Sequence, residues 1–291
     1  MRNAGRAVPS PSQEGLLLLS TWVLVGCGYT GEHLARALLA RGDSVIAARR
    51  NVNAVARLVT DVGVTAVRAD LARPDTLAAL PFDGAIVVVL APPGPDPASE
   101  ITALVEAARS ATRIVYVSST GVYGRGHGQW VDESAPLAPL SPTGAARVAA
   151  EQALAASAVS HVALRVAGIY GPGRGIADRI RLGQYRVVGD GSAHVSRIHV
   201  EDLVAAIIVA GESDVTGAIN IADDDPSPIG VVADAIAAKL GVAPPTRTPV
   251  EQVTPEVAAM LTADRKIANA RMKSLGVSLR YPSWRGILAE L

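Results

Sequence analysis

The chain alternates between short, unbroken apolar runs and longer stretches whose apolar residues recur every three or four positions. Runs of the first kind lie at 21–26 (TWVLVG), 44–49 (SVIAAR), 84–91 (GAIVVVLA), 113–119 (RIVYVSS) and 161–168 (HVALRVAG), with a weaker one at 65–71. They read as strands buried on both faces. Helical patterns fill the gaps at 32–41, 53–62, 75–80, 98–110 and 144–158. The first sets Leu34, Ala35, Leu38 and Leu39 on one face and meets Gly42 as a stop. The proline-rich APPGPDP at 91–97 is a loop. Strands and helices in alternation, joined by short turns, predict a doubly wound α/β fold on a parallel sheet with right-handed crossovers.

After Gly171 the rhythm breaks. GPGRG is a loop, 176–182 a helix, and YRVVGDG a strand and turn. Residues 196–210 read as a strand end running into a long helix, and 217–223 as one more sheet strand. Helices follow at 229–240 and 250–260, then a polar C-terminal region. The first 14 residues, rich in Pro, Ser, Arg and Gly, read as a flexible tail.

Composition adds exclusions. Of 291 residues, 49 % are apolar but only 3 % aromatic, so the core is built from Ala, Val, Leu and Ile. Lys plus Arg balance Asp plus Glu at 27 each, which gives no global electrostatic case for nucleic acid or an anionic membrane. The single cysteine, Cys27, forms no internal disulfide, so nothing calls for an oxidising compartment. The apolar run at 16–25 leads into a glycine-rich turn and lacks an A-x-A-like cleavage site, so it is not read as a signal peptide. No stretch is long enough to span a bilayer. A cytoplasmic protein without a bound metal is expected.

The first strand ends in Gly26-Cys27-Gly28-Tyr29-Thr30-Gly31 and opens into a helix. This is G-x-G-x-x-G in the context that gives it meaning: a tight turn, close backbone approach to a pyrophosphate, and close helix–strand packing. The helix N-terminus adds about half a positive charge facing the phosphates. Cys27 reads as a small filler within the turn. After the second strand, where an acidic residue would bind the ribose 2′-OH of NAD, the chain has Arg49 and Arg50. Two arginines suit a 2′-phosphate, which favours NADP and leaves NAD open. Asp70-Leu71 ends the third strand, where a carboxylate reaches the adenine, and Leu90-Ala91-Pro92 ends the fourth, lining the cofactor cleft.

RIVYVSSTGVYG at 113–124, LRVAGIYGPG at 164–173 and RIHVEDL at 197–203, together with the glycine turn and the helix at 144–158, resemble the extended short-chain dehydrogenase/reductase family. The resemblance is closest to nucleoside-diphosphate-sugar epimerases and dehydratases and their atypical relatives, and runs from about 20 to 285. It implies an NAD(P)-binding Rossmann domain (20–170 plus about 199–225) and a small C-terminal substrate lobe (171–198 plus 226–291). It places the catalytic hydroxyl at Ser119 and the cleft-lining G-P-G at Gly171-Pro172-Gly173. It matches His199 and Asp202 to I-H-V-x-D, with His199 expected at the domain junction. A homodimer is a family-level expectation.

Two departures mark an atypical member. Where the family carries Tyr-x-x-x-Lys, this chain has Thr143 and Arg147. A tyrosine beside a cation can approach neutrality in pKa; an aliphatic hydroxyl cannot. Arg147 still offers a charge and donors for the nicotinamide ribose. Aligned on Gly28 and Gly31, the first glycine of the family's G-x-x-G-x-x-G falls on Val25. Three readings stay open: an enzyme with Tyr123 as substitute acid; an enzyme in which substrate or water supplies the proton while Ser119 orients an oxygen; and a non-catalytic NADP-binding redox sensor or regulator. Arg165, Arg174, Arg179, Arg181, Arg186 and Arg197 are enough cations for a small anionic substrate. Arg174, Arg197 and His199 are taken as its candidate contacts.

Overall fold

The computed structural model describes residues 19–289 and 291; the expected tail at 1–14 lies outside them. Seven parallel strands form the central sheet: β1 Thr21–Val25, β2 Ser44–Arg49, β3 Thr65–Arg68, β4 Ile86–Val89, β5 Arg113–Ser119, β6 His161–Val166 and β7 Gly217–Ile221. Their order is β3-β2-β1-β4-β5-β6-β7. The chain starts in the middle, winds outward to β3, returns beside β1 as β4 and winds out the other way. The reversal between β1 and β4 is the switch point at which doubly wound sheets bind ligands.

Both faces of the sheet are covered, so every strand residue finds an apolar neighbour whichever way it points. Trp22 and Leu24 face the layer of α1 (Tyr29–Arg41) and α6 (Val200–Glu212), where Leu34, Leu38, Leu203 and Ile207 are buried. Val23 and Val25 face the layer of α3 (Pro97–Ala107) and α4 (Pro142–Ala155), with Ile101, Leu104 and Leu154. This is why the strands read as unbroken apolar runs.

Three expected elements end differently. Strand 65–71 stops at Arg68, because the Asp70 amide turns to the Thr76 hydroxyl (2.9 Å) instead of a neighbouring strand. Helix 250–260 breaks at Pro255, which starts α8 (Pro255–Leu261) with Thr254 as its cap. Strand 161–168 leaves the sheet at Ala167, and Gly168–Tyr170 pairs in parallel with Arg197–His199. That departure seeds a second core, in which Tyr170, Tyr185 and Trp284 pack against Ile229, Val232 and Ile236 of α7 (Ile229–Leu240).

A buried polar network joins β5, β6, β7 and α4. Arg165 forks onto the Glu151 carboxylate (Nη2–Oε2 2.9 Å), and Ser118 donates to the same carboxylate at 2.5 Å. Arg165 also donates to the Tyr123 hydroxyl (3.0 Å), which donates to Asn220 Oδ1 (2.7 Å). Burial works to lower the Arg165 pKa, but the bonds to Glu151 and Tyr123 outweigh it and hold the guanidinium charged. Removing one partner of such a pair strands the other. Arg165→Met is therefore expected to cost about 3–5 kcal/mol, read in a urea melt, and Glu151→Met with Arg165→Met to recover most of that loss. An equal or larger loss in the double variant would refute this account.

Candidate functional site

The site begins at the turn between β1 and α1. Gly26 has φ +89°, and a Cβ there would run into the backbone of Ala91. The close approach arises because the amides of Leu90 and Ala91 both reach the Val25 carbonyl, at 2.7 and 3.0 Å. A Cβ at Gly31 would sit 2.9 Å from the Cys27 sulfur and 3.2 Å from Leu90. Cys27 is fully buried, and burial pushes its thiol up to about 12, so it fills space rather than reacting. Helix α1 has no side-chain cap, which leaves its first amides for an anion. The cradle fits a pyrophosphate: backbone donors, no side chain in the way, and a helix N-terminus behind.

Arg49 lies against this turn. Its Nη1 donates to the Cys27 carbonyl at 2.5 Å, and its remaining donors stay at the cleft. Arg50 is exposed, and Arg68, which is Arg49's register partner on β3, donates to the Arg50 carbonyl at 3.2 Å. Three arginines thus share the rim at the ends of β2 and β3. Arg68 was not singled out from sequence, since only strand pairing sets it beside Arg49. Asp70 accepts from the Ala72 amide at 3.2 Å, and Leu71 is buried.

Across the sheet end, a cavity of about 900 Å³ opens beside Ser119. Ser119 is half-buried and accepts from the Gly121 amide at 3.1 Å. A Cβ at Gly144 would collide with the Gly121 carbonyl, so α4 is pressed onto this loop and brings Thr143 to the same cavity. Thr143 donates to Glu256 of α8 at 2.5 Å. Glu256 also lines the cavity, as does Arg265. Neither could be picked out beforehand, because both come from the polar C-terminal stretch that carries no motif. The Gly171-Pro172-Gly173 loop joins the two halves: Tyr29 of the glycine turn donates to the Pro172 carbonyl at 3.1 Å, and Pro172 lines the cavity.

Other expectations need correction. Tyr123 is buried at 1 % exposure, with its hydroxyl tied to Asn220 and Arg165 in the network under the sheet end, so it faces core rather than cleft. Burial raises its pKa further from neutrality. His199 caps α6, stacks on Tyr281 (3.6 Å between ring centroids) and does not line the cavity. Its neighbour Asp202 accepts the amides of Arg280 and Tyr281, tethering the C-terminal segment. Arg147 turns toward β5 and donates to the Val117 carbonyl at 2.6 Å. Of the six arginines, Arg174, Arg179 and Arg197 line the cavity; Arg165 is committed to Glu151, Arg181 pairs with Asp178 and Arg186 bonds Thr246.

A glycine cradle at the switch point of a seven-stranded parallel sheet, with a cavity at the same sheet end, defines a Rossmann-type dinucleotide-binding fold. The chain belongs to the NAD dependent epimerase/dehydratase family, whose sequence model matches residues 22–222. It is 35 % identical over 117 residues to a 3-diazoavenalumate denitrifying reductase of Streptomyces sp., covering 38 % of each chain, so it spans well under half of that relative. A solved structure of a conserved protein of Silicibacter pomeroyi DSS, described as functionally unknown, is 29 % identical with a TM-score of 0.81, covering 94 % of this chain and 98 % of that one. Human epimerase family protein SDR39U1 (isoform 2), solved with NADPH, shares the fold at 21 % identity and a TM-score of 0.76, over 94 % and 98 % of the two chains. Among the described residues no helix is long and apolar enough to cross a membrane.

One buried acid gives the site a pH signature. Asp223 is fully buried behind Arg197, and burial raises its carboxyl to about 8. An acid whose folded pKa lies above its unfolded value of about 3.9 favours folding at low pH, and that contribution is lost as pH rises toward 8. Asp223→Asn is expected to match the wild type in urea stability at pH 5 and exceed it at pH 9. A variant less stable than wild type at pH 9 would contradict the burial argument.

Proposed function

We propose that the chain is an NADP-preferring oxidoreductase that interconverts a carbonyl and a carbinol on a small molecule held in the 900 Å³ cavity. The observation that carries this is the Tyr29–Pro172 bond, which makes the phosphate cradle and the cavity wall one continuous surface. Bound NADPH would supply the hydride. Gly26, Gly28 and Gly31, with Tyr29 and Thr30 opening the helix, hold the pyrophosphate; Arg49, Arg50 and Arg68 receive the 2′-phosphate. Asp70, Leu71 and the Leu90-Ala91-Pro92 segment line the cleft. The human neighbour solved with NADPH is consistent with this choice.

Ser119 would donate to the reacting oxygen. Thr143 cannot play the tyrosine's part: its hydroxyl is too weak an acid, and it is engaged by Glu256. Arg147 secures α4 to β5 and keeps a cation near the nicotinamide end. The proton for the substrate oxygen then comes from water entering the open cavity, with Ser119 orienting that oxygen. Such an arrangement suits a reductase more than an epimerase, which must return the same proton and hydride to one substrate. The cytoplasm is the proposed setting, and a homodimer the proposed assembly.

The test is titration of the purified protein with NADPH and NADH, followed by nicotinamide fluorescence. NADPH should bind at least about tenfold more tightly, the magnitude of one lost charge-assisted hydrogen bond. Arg49→Ala should erase that preference, leaving NADH binding unchanged. Tighter NADH binding in the wild type would overturn the NADP assignment; binding of neither would overturn the cofactor reading.

A further inference from the structure

The cavity carries more positive than negative charge, and the balance is uneven along its length. Arg174, Arg179, Arg197 and Arg265 line it, against Asp178 and Glu256. Both acids are engaged, Asp178 by Arg181 and Glu256 by Thr143. Arg174 lies over the Tyr29 ring and Arg179 over Tyr185, both at exposed positions. Arg265 spends Nη1 on the carbonyls of Tyr123 and Gly124.

Arg197 is different. It is nine-tenths buried, its Nη1 donates to the Val195 carbonyl at 2.8 Å, and its Nη2 has no hydrogen-bond partner. Asp223 Oδ2 likewise has none, so the two are not bonded to each other. A second donor stands unpartnered on the same wall: the hydroxyl of Tyr170, itself 6 % exposed. An unmet buried donor costs about 1–3 kcal/mol, more when charged. Two such donors facing one cavity describe a receptor for an anionic acceptor.

The remaining wall is aliphatic and aromatic: Ile229, Val232 and Ile236 of α7, Met260 of α8, Trp284 and Ile287. A nucleoside diphosphate would press two phosphates, ribose hydroxyls and a base amide against side chains that return no hydrogen bonds. An apolar body with one anionic group meets both demands.

We propose that Arg197 and the Tyr170 hydroxyl form a carboxylate-binding subsite, and that the substrate is an aromatic or alicyclic monocarboxylate held by its acid group there, with its reacting carbon toward Ser119. This rests on reading the cavity as the substrate site of an NADP-linked oxidoreductase. The carboxylate supplies the acceptor lone pairs that Nη2 and the hydroxyl lack, and α7 and the C-terminal segment cover the ring. The polar ends of a nucleotide sugar have no counterpart on that side.

The test is ligand-observed NMR titration of NADPH-saturated protein with benzoate, phenylacetate and trans-cinnamate, each against its neutral amide, and with UDP-glucose. At least one acid should bind about tenfold more tightly than its amide, the size of one charge-assisted hydrogen bond. Arg197→Met should abolish that ratio, Arg197→Lys should keep part of it, and Tyr170→Phe should reduce it severalfold. Folding of each variant is checked by its NADPH titration. The proposal is overturned if no acid outbinds its amide, if the ratio survives in Arg197→Met, or if UDP-glucose binds more tightly than every acid. Should NADPH fail to bind the wild type, the cofactor reading falls, and the acid–amide comparison on the protein alone still decides the subsite.

Discussion

The working end of this molecule depends on a buried ion pair. Glu151 and Arg165 are both 7 % exposed in their side chains, and neither is tolerable there alone. Together they tie α4 to β6, and through Ser118 to β5 and through Tyr123 and Asn220 to β7. Ser118 is one residue before Ser119. The strand end that presents the candidate catalytic hydroxyl is therefore held by the network on its hidden face, while its open face stays free for a ligand. An apolar core could supply the stability, but it would not set the heights of three strand ends and a helix against one another by directed bonds.

The second constraint is where the chain leaves the sheet. Ala167 still bonds to Ile221 of β7, but Gly168 turns to Ser196, and the next three residues pair outside the main sheet. One departure does three things. It puts the Gly171-Pro172-Gly173 loop against Tyr29, it buries Arg197 beside Tyr170, and it gives α7 a surface to pack on. Cradle and cavity are consequences of the same break in the strand.

How much of this could be read beforehand follows from which interactions are local. Periodicity recovered all seven sheet strands and the layer helices, because two-sided burial imposes a continuous apolar run and one-sided burial a three-to-four repeat. The glycine turn was legible because its steric demands act on neighbours in sequence. Tyr123 and His199 were not. Each sits in a family-like motif beside the cleft, but the direction of its side chain is set by Asn220 and Arg165 in one case and by Tyr170 and Tyr281 in the other, far away in the chain. Arg68, Glu256 and Arg265 escaped notice for the same reason: pairing and lobe closure bring them in, and nothing local marks them. Counting arginines suggested an anion, but only burial separates Arg197 from the five that are paired, stacked or spent elsewhere.

The missing tyrosine then takes on a chemical sense. A Tyr–Lys dyad matters most where one group must both remove and return a proton at a defined oxygen, as reversible chemistry at a sugar carbon requires. A one-way reduction asks less. Its oxygen needs a donor to stabilise developing charge, and the proton can arrive from water, provided the cavity is open at that end. Ser119 offers the donor, and the cavity is open beside Thr143 and Glu256. Replacing tyrosine by a short hydroxyl at 143 also removes a bulky ring from the cavity mouth, which leaves room for a substrate with a wide apolar body. Loss of the dyad and the greasy wall opposite it thus point the same way: toward a reductase whose selectivity lies in shape and one buried charge rather than in recognition of a nucleotide.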